Sequence, residues 1–189
     1  KVPISILKNA KTIIACDGAA DKLIDNNYKP DLIIGDLDSV SKNILNDFKG
    51  KIVSLKNQSK NDFRKAIDYL IKERIQSIDI LGATGLREDH QISNIFSIMQ
   101  YDKNINITLY TDYGIFKRVF DGSRFSSFIG QQVSIFTEDS SIKIDTNHLK
   151  YNIREEYQSA IYSLTLNESK SKNISFKLSH GKLLIFLAY

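Results

Sequence analysis

The sequence contains one cysteine, no tryptophan and no long run of apolar residues. The single cysteine, Cys16, excludes an internal disulfide framework and any zinc site built from several cysteines. No apolar stretch is long enough to span a membrane, so we expect no membrane partner. The first residues show no signal-peptide pattern. Together these absences predict a cytoplasmic protein.

The overall composition is that of an ordinary globular protein. Of the 189 residues, 42% are hydrophobic and 25% are charged, which allows a core without covalent cross-links. The net charge of +4 is compatible with anionic substrates but does not identify them. Lysine and arginine are scattered, and no RNA-binding aromatic motif accompanies them. We therefore expect no nucleic-acid partner.

The first part of the chain alternates short apolar runs with stretches that have helical spacing. Apolar residues within 63–75 and 92–99 are spaced as on one face of a helix. Alternating strands and helices predict a Rossmann-like, mainly parallel sheet with flanking helices. The predicted strands of this α/β part are residues 12–16, 31–34, 51–55, 77–81 and 104–110.

After about Asp112 the segments become short, and several alternate apolar with polar residues. Turn-forming residues such as Gly122, Gly130 and Gly181 separate them. This pattern predicts a small antiparallel β-sandwich or barrel. We therefore predict an α/β domain at residues 1–112 and a β-sandwich domain at residues 113–189. The predicted strands of the second part are residues 116–120, 133–136, 142–144, 162–166, 174–178 and 183–187.

Two acids, Asp36 and Asp38, follow the apolar strand at residues 31–34. Ligands of parallel sheets gather where strands end, and two acids separated by one residue can both point outward from that edge. Mg²⁺ prefers such oxygens and keeps other coordination positions for water and phosphate. The alternative is that one acid caps the following helix and the other is a loop charge.

Asp17 and Gly18 follow the first strand, where small residues let the backbone approach a ligand and free N–H groups can meet phosphate. Glycine after a strand is also common in simple turns. Further along, Asp62 opens the helical stretch at residues 63–75, a position that is equally typical of a helix-start residue.

The loop at residues 82–90 leaves the fourth predicted strand and contains Arg87, Asp89 and His90. Arginine suits phosphate because its planar guanidinium binds two oxygens at once. Arg87 and Asp89 could equally form a structural ion pair, and His90 could be a helix-start polar residue. The four groups follow four successive strands, so in one parallel sheet they would share one edge.

In order and spacing these residues resemble the thiamine pyrophosphokinase family over nearly the whole chain. Pro30-Asp-Leu-Ile-Ile-Gly-Asp36-Leu-Asp38-Ser39 is similar to the family's most specific motif. The other stretches that resemble family motifs are Ala15-Cys-Asp17-Gly18-Ala-Ala, Asn61-Asp62-Phe-Arg-Lys65-Ala66, Gly82-Ala-Thr-Gly85-Leu-Arg87-Glu-Asp89-His90, His148-Leu149-Lys150-Tyr151 and Thr165-Leu166-Asn167-Glu168.

The resemblance implies a homodimer that converts thiamine and ATP into thiamine diphosphate and AMP and requires Mg²⁺. It implies that the α/β domain holds ATP and the metal, and that the β-sandwich helps to enclose thiamine across the dimer interface. The chain departs from the family pattern at Asn57, Ser59 and Asn61, where acids or threonine are usual, and at Leu86, where glycine is usual. The absence of tryptophan removes an aromatic contact that some members offer to the pyrimidine.

Carried onto this sequence, the resemblance implies a role for each matching residue. Asp36, Asp38 and Asp62 would be the catalytic residues that hold one or two Mg²⁺ ions between the phosphates of ATP. The predicted ATP-binding residues are Asp17, Gly18, Ser39, Thr84, Arg87, Asp89 and His90. The predicted thiamine-binding residues are Gln58, Thr165 and Asn167.

Two other functions compete with this one. The order Asp36-Leu-Asp38-Ser39-Val40 also fits a haloacid-dehalogenase-like phosphatase, with Asp36 as the covalent nucleophile and Asp38 as the acid/base. That family normally has the motif on its first strand and needs a downstream acidic pair, which the sequence does not supply. From a different class, the chain could be a catalytically silent nucleotide- or thiamine-binding module.

Overall fold

The computed structural model describes residues 2–57, 59–154, 161 and 163–189. Internal contacts divide the chain into two compact units, Lys1–Gln76 and Ser77–Tyr189. This division concerns packing and does not test the functional boundary expected between residues 112 and 113, which stays a prediction. In the part of the chain that is described, no helix is long and apolar enough to cross a membrane.

The first unit contains a three-stranded parallel sheet with the order β1-β2-β3. The alternation of strands and helices in the sequence predicts this arrangement, and the structure confirms it. The elements are α1 (Val2–Lys8), β1 (Ile14–Cys16), α2 (Ala19–Asp25), β2 (Leu32–Gly35), α3 (Lys42–Asp47), β3 (Lys51–Ser54) and α4 (Asp62–Lys72).

Strand β2 is the centre of this unit, and its residues are buried from end to end. Because successive side chains of a strand point to opposite faces, Ile33 packs with Ala20 of α2 on one face. Leu32 and Ile34 pack with Ala66 of α4 on the other face. Helices therefore cover both faces of the sheet, as parallel sheets require.

The second unit contains two sheets. A six-stranded sheet has the order β10-β8-β12-β6-β5-β4, and a three-stranded antiparallel sheet has the order β7-β11-β9. Strands β4 and β5 are parallel, whereas β5 and β6 are antiparallel. The elements are β4 (Ser77–Ile80), α5 (Glu88–Ser97), the 3₁₀ helix Ile98–Gln100, β5 (Asn106–Tyr110), β6 (Gly114–Val119), β7 (Arg124–Ser126), β8 (Gln132–Phe136), β9 (Ile144–Asn147), β10 (Leu164–Glu168), β11 (Asn173–Leu178) and β12 (Leu183–Ala188).

The core of the second unit lies between these two sheets. Val133 and Ile185 of the larger sheet belong to one buried cluster with Ile144, Ile174 and Phe176 of the smaller sheet. Side chains from both inner faces thus form one core, which confirms the predicted β-sandwich.

The expectation that four strands share one parallel sheet is wrong in one respect. Strand β4 pairs with β5 in the six-stranded sheet and not with β1, β2 and β3. Alternating strands and helices predict parallel pairing, but they do not specify where one sheet ends and another begins. The sequence pattern also does not predict α1 or the short strand β7.

Candidate active site

Asp17 lies in a strained turn directly after β1. Its backbone has a φ of 46°, and its N–H donates a hydrogen bond of 2.9 Å to the carbonyl of Ile34. Gly35 permits this close approach, because a Cβ on Gly35 would lie 3.0 Å from the Cβ of Asp17. The Gly35 φ of 155° is also one that side-chain-bearing residues rarely adopt. The glycine of β2 therefore lets the Asp17 turn pack against it.

The Asp36–Asp38 segment leaves β2 through a second unusual conformation, since Leu37 has a φ of 70°. The N–H of Asp38 donates to Oδ1 of Asp36 at 3.4 Å, and Oγ of Ser39 donates to Oδ1 of Asp38 at 2.9 Å. One carboxylate oxygen from each of Asp17, Asp36 and Asp38 lies within 4.8 Å of the other two. We call these three carboxylates the acidic group.

The backbones of the two turns also lie close together. A Cβ on Gly18 would lie 3.3 Å from both the Cβ and the carbonyl oxygen of Ser39. The structure therefore brings together four residues that the sequence assigns to metal or ATP: Gly18, Ser39, Asp36 and Asp38. Asp17, predicted to bind ATP, joins them as a member of the acidic group.

Burial and repulsion both act on Asp17, whose residue is only 9% exposed. Burial is the largest cause that raises the pKa of the Asp17 carboxyl; a hydrogen bond from Ser39 opposes it, and the charges of Asp62, Asp36 and Asp38 raise it further. Oδ1 of Asp17 is buried and has no hydrogen-bond partner among the described residues. Such an oxygen is costly unless a ligand satisfies it.

The start of α4 has its cap at the residue before Asp62. Asn61 is the N-cap, and its Oδ1 accepts a 3.1 Å hydrogen bond from the N–H of Arg64. Asp62 is the first residue of the helix, which confirms the alternative that it is a helix-start residue. Asn caps a helix about as well as any residue. The change from the family's usual threonine to Asn61 therefore preserves the cap.

Asp62 instead makes an ion pair within its own helix. Nζ of Lys65 lies 3.0 Å from Oδ1 of Asp62 and 3.8 Å from Oδ2 of Asp36. The Lys65 side chain is 6% exposed. Asp62 is not a member of the acidic group, and Lys65 lies between it and Asp36. The predicted role of Asp62 as a metal ligand stays a prediction.

Sequence reasoning missed Lys65 as a site residue, although one feature of the sequence identifies it. Lys65 precedes Ala66 and Ile67 on the stretch of α4 that is buried. A lysine on the buried face of an amphipathic helix needs a charged partner, because burial of an unpaired ammonium is costly. Its spacing of three residues from Asp62 supplies one.

Cys16, the residue before the Asp17 turn, behaves as a structural thiol. Burial is the main cause that raises its pKa to about 12, and the nearby charges of Asp62 and Asp17 raise it further. A thiol with so high a pKa is almost entirely protonated near neutral pH and is a poor nucleophile.

In the second unit, the loop at residues 82–90 turns through two glycines. Gly82 and Gly85 have φ values of 70° and 92°. The N–H of Gly85 donates to Oε1 of Gln91 at 2.8 Å, and Nδ2 of Asn94 donates to the carbonyl of Ala83 at 3.1 Å. Side chains of α5 thus hold the loop that contains Thr84 and leads to the start of the helix.

Arg87 and Asp89 form an ion pair at that helix start. Nη2 of Arg87 lies 2.7 Å from Oδ2 of Asp89, and the side chains are 71% and 63% exposed. The hydrogen bond from Arg87 lowers the pKa of the Asp89 carboxyl. His90 lies next to them on α5 and is exposed. The ion-pair alternative for Arg87 and Asp89 is therefore confirmed, and their predicted contact with ATP stays a prediction.

Two of the three predicted thiamine residues, Thr165 and Asn167, lie on β10. Thr165 is partly buried, whereas Asn167 is 5% exposed. Oδ1 of Asn167 accepts from the N–H of Tyr151 at 3.1 Å, and its Nδ2 donates to the carbonyl of Tyr151 at 2.7 Å. Asn167 thus fixes the turn at residues 148–151, a role that sequence reasoning missed. Gln58 lies outside the described residues.

Family profiles match both halves of the chain. Residues 4–109 match the family described as thiamin pyrophosphokinase, catalytic domain, and residues 114–186 match thiamin pyrophosphokinase, substrate-binding domain. The chain belongs to the thiamin pyrophosphokinase family. These matches do not support the phosphatase or the silent-module alternative.

Sequence identity to individual thiamine pyrophosphokinases is low. The chain is 28% identical over 119 residues to thiamine pyrophosphokinase 2 of Arabidopsis thaliana, a match that covers 50% of this chain and 45% of that protein. The chain thus spans about half the length of the curated relatives it matches.

Solved structures of the family share the fold. Thiamine pyrophosphokinase of Bacillus subtilis superposes with a TM-score of 0.79 at 19% identity and covers 98% of this chain and 92% of its own. Thiamin pyrophosphokinase of Candida albicans superposes with a TM-score of 0.82 at 18% identity and covers 98% of this chain and 83% of its own. At this identity the likeness concerns the fold alone.

Proposed function

We propose that the protein is a thiamine pyrophosphokinase that transfers a diphosphoryl group from ATP to the hydroxyl of thiamine. The observation that supports this most directly is the acidic group, which lies at the ends of β1 and β2 and includes a buried Asp17 oxygen with no hydrogen-bond partner in the described part of the chain. Membership of the family indicates thiamine and ATP as the substrates.

The proposed cofactor is Mg²⁺, and the donor set fits it. Carboxylate oxygens are the protein ligands that Mg²⁺ prefers, and the ion usually keeps waters and substrate phosphates in its remaining positions. Asp36 and Asp38 would hold the ion together with Asp17, and Asp62 is the further ligand predicted from the sequence. Bound there, Mg²⁺ would neutralise charge on the phosphates and orient them.

In the proposed reaction the thiamine hydroxyl oxygen attacks the β-phosphorus of ATP. A bond forms between that oxygen and the β-phosphorus, and the bond from the β-phosphorus to the oxygen bridging it to the α-phosphorus breaks, so that AMP leaves. The hydroxyl proton is released. Chemistry of this kind depends mainly on alignment and on compensation of charge.

The remaining site residues have roles in this proposal as binding groups. Gly18 and Ser39 would place backbone and hydroxyl groups near the nucleotide. Arg87 would exchange its exposed Asp89 partner for a phosphate, which its guanidinium can bind at two oxygens. Gln58, Thr165 and Asn167 would contact thiamine. ATP contacts are proposed for Asp17, Thr84, Asp89 and His90 as well.

The proposal includes a homodimer in the cytoplasm, with thiamine enclosed between the subunits. Such a shared site requires the β-sandwich to form an isologous contact. Analytical ultracentrifugation at micromolar concentration should show a dimer. A stable monomer that produces thiamine diphosphate would exclude the shared site while leaving the reaction intact.

The decisive experiment is incubation with ATP, Mg²⁺ and thiamine, followed by separation of the nucleotides. Equal amounts of AMP and thiamine diphosphate are expected, and both should disappear with EDTA. ADP or free phosphate in place of AMP would indicate a phosphatase or a different kinase. Binding of ATP or thiamine without turnover would indicate a silent module.

A further inference from the structure

Lys65 is a buried cation at the edge of the acidic group. Its side chain is 6% exposed, and its ammonium lies 3.0 Å from Asp62 and 3.8 Å from Asp36. Burial of a lysine this deep is unfavourable unless carboxylates compensate its charge. The carboxylates that compensate it are those of Asp62 and Asp36, and Asp36 belongs to the acidic group.

The charges around this ammonium are strongly unequal. Asp17, Asp36, Asp38 and Asp62 act on one another closely enough that the last three raise the pKa of Asp17. Four carboxylates converge on this part of the first unit, and Lys65 supplies one positive charge against them. A divalent cation bound to the acidic group would be repelled by the same ammonium, because both are positively charged and both lie beside Asp36.

We propose that Lys65 is a built-in counter-cation, which compensates the charge of Asp36 and Asp62 before metal binds and weakens the affinity of the acidic group for a free divalent ion. The inference rests on the metal site of the proposed function. Its consequence is that the metal binds best when phosphates accompany it, since their charge offsets the repulsion from Lys65. Lys65 is a positioning residue in this scheme and does not touch the reacting atoms.

The direction of the effect separates this role from a merely structural one. If Lys65 only supported the fold, its removal would loosen the carboxylates and weaken metal binding. If it competes with the metal, its removal takes a positive charge from a few ångströms away and strengthens metal binding by about tenfold or more. A charge-conserving replacement should leave the affinity near that of the parent.

The test measures Mn²⁺ binding to the full, nucleotide-free chain by electron paramagnetic resonance and calorimetry. Lys65→Met removes the charge and keeps an unbranched side chain, Lys65→Gln is a second neutral variant, and Lys65→Arg keeps the charge. Lys72→Met is the matched control, because Lys72 is an exposed lysine two turns along the same helix. The control is about 10 Å away along the helix axis, where an exposed charge is largely screened.

Both neutral variants are expected to bind Mn²⁺ about tenfold more tightly or better, with Lys65→Arg and Lys72→Met close to the parent. In the presence of ATP the gain should shrink. If a neutral variant folds only when Mn²⁺ is present, as seen by circular dichroism, the metal is replacing the missing charge and the proposal is supported.

Several results would overturn the proposal. They are unchanged or weaker Mn²⁺ binding in folded neutral variants, failure of those variants to fold even with saturating Mn²⁺, equal tightening in Lys72→Met, or no Mn²⁺ binding by the parent. The proposed reaction is judged separately by formation of AMP in the parent. Tighter metal binding in Lys65→Met without any AMP formation by the parent would preserve the counter-cation and reject the kinase.

Discussion

The acidic group of the first unit and the Arg87–Asp89 pair of the second unit use charged residues in opposite ways. In the acidic group, Asp17 is 9% exposed and its neighbours are mostly of its own sign. Arg87 and Asp89 balance each other, and their side chains are 71% and 63% exposed. Burial of Asp17 beside like charges is costly, whereas the exposed ion pair of Arg87 and Asp89 contributes little to stability.

The largest expected effect follows from removing a charge from the acidic group. Asp36→Asn and Asp38→Asn should each lower AMP formation by orders of magnitude, because a neutral amide is a poor ligand for Mg²⁺. Circular dichroism should show an intact fold. Asp47→Asn is the matched control, since Asp47 is an exposed acid in the same unit. Near-normal AMP formation by either site variant at saturating Mg²⁺ would refute the metal assignment.

Asp62 offers a test of charge against shape. Since Asn61 is the helix cap, Asp62→Asn and Asp62→Ala should melt close to each other, whereas Asn61→Ala should lose about 1 kcal/mol of stability. Both Asp62 variants should lose most of their activity, because either one removes the carboxylate that pairs with Lys65. Thermal melting and AMP formation measure the two effects. A fully active Asp62→Asn would limit Asp62 to a structural role.

One glycine in each unit allows the cost of adding a Cβ to be compared between the two regions. Gly35→Ala should cost about 2 kcal/mol or more, because its φ is unfavourable and its Cβ would lie 3.0 Å from Asp17. Gly82→Ala should cost about 1 kcal/mol, because its φ is 70° and a Cβ would meet nothing within 4 Å among the described residues. Urea unfolding of both variants gives the difference. Equal costs would show that the contact with Asp17 adds nothing.

The smallest effect on stability is expected at the exposed pair. Asp89→Asn should leave the melting temperature of the protein unchanged, because exposed ion pairs contribute little.

Arg87→Lys should raise the KM for ATP several-fold while the fold is preserved, because lysine lacks the planar guanidinium that binds two phosphate oxygens. Steady-state kinetics with ATP as the varied substrate measure this. Arg87→Lys with an unchanged KM would place Arg87 outside the nucleotide site.

The parts of this molecule that sequence predicts best are those set by local pattern. The apolar run of β2 and the spacing within α4 identify both elements, because burial imposes their periodicity. The short strand β7 escapes prediction because three residues, Arg124–Ser126, give no period. Helix α1 contains Pro3 near its start and has no buried residue, so no apolar face identifies it.

The candidate site also contains residues that the sequence predicts and residues that it does not. Asp36 and Asp38 are predictable because they follow a buried strand. The place of Asp17 at the same edge is predictable too, but its membership in the acidic group is not, because it depends on a contact between the turn after β1 and Gly35 of β2. The sequence suggests that Asn167 is a ligand-binding amide. In the structure, its side-chain oxygen and nitrogen both form hydrogen bonds with the backbone of Tyr151.

The antiparallel pairing of β5 with β6 has a consequence for how the chain can be divided. The catalytic-domain match ends at residue 109 and the substrate-binding match begins at residue 114, yet hydrogen bonds join Asn106–Tyr110 to Gly114–Val119 across that junction. A fragment that stops at residue 112 would keep β5 without β6 and expose its unpaired N–H and C=O groups. Exposed edges of this kind recruit other strands. The catalytic half expressed by itself should therefore aggregate, because the two matched domains share one sheet at the pairing of β5 with β6.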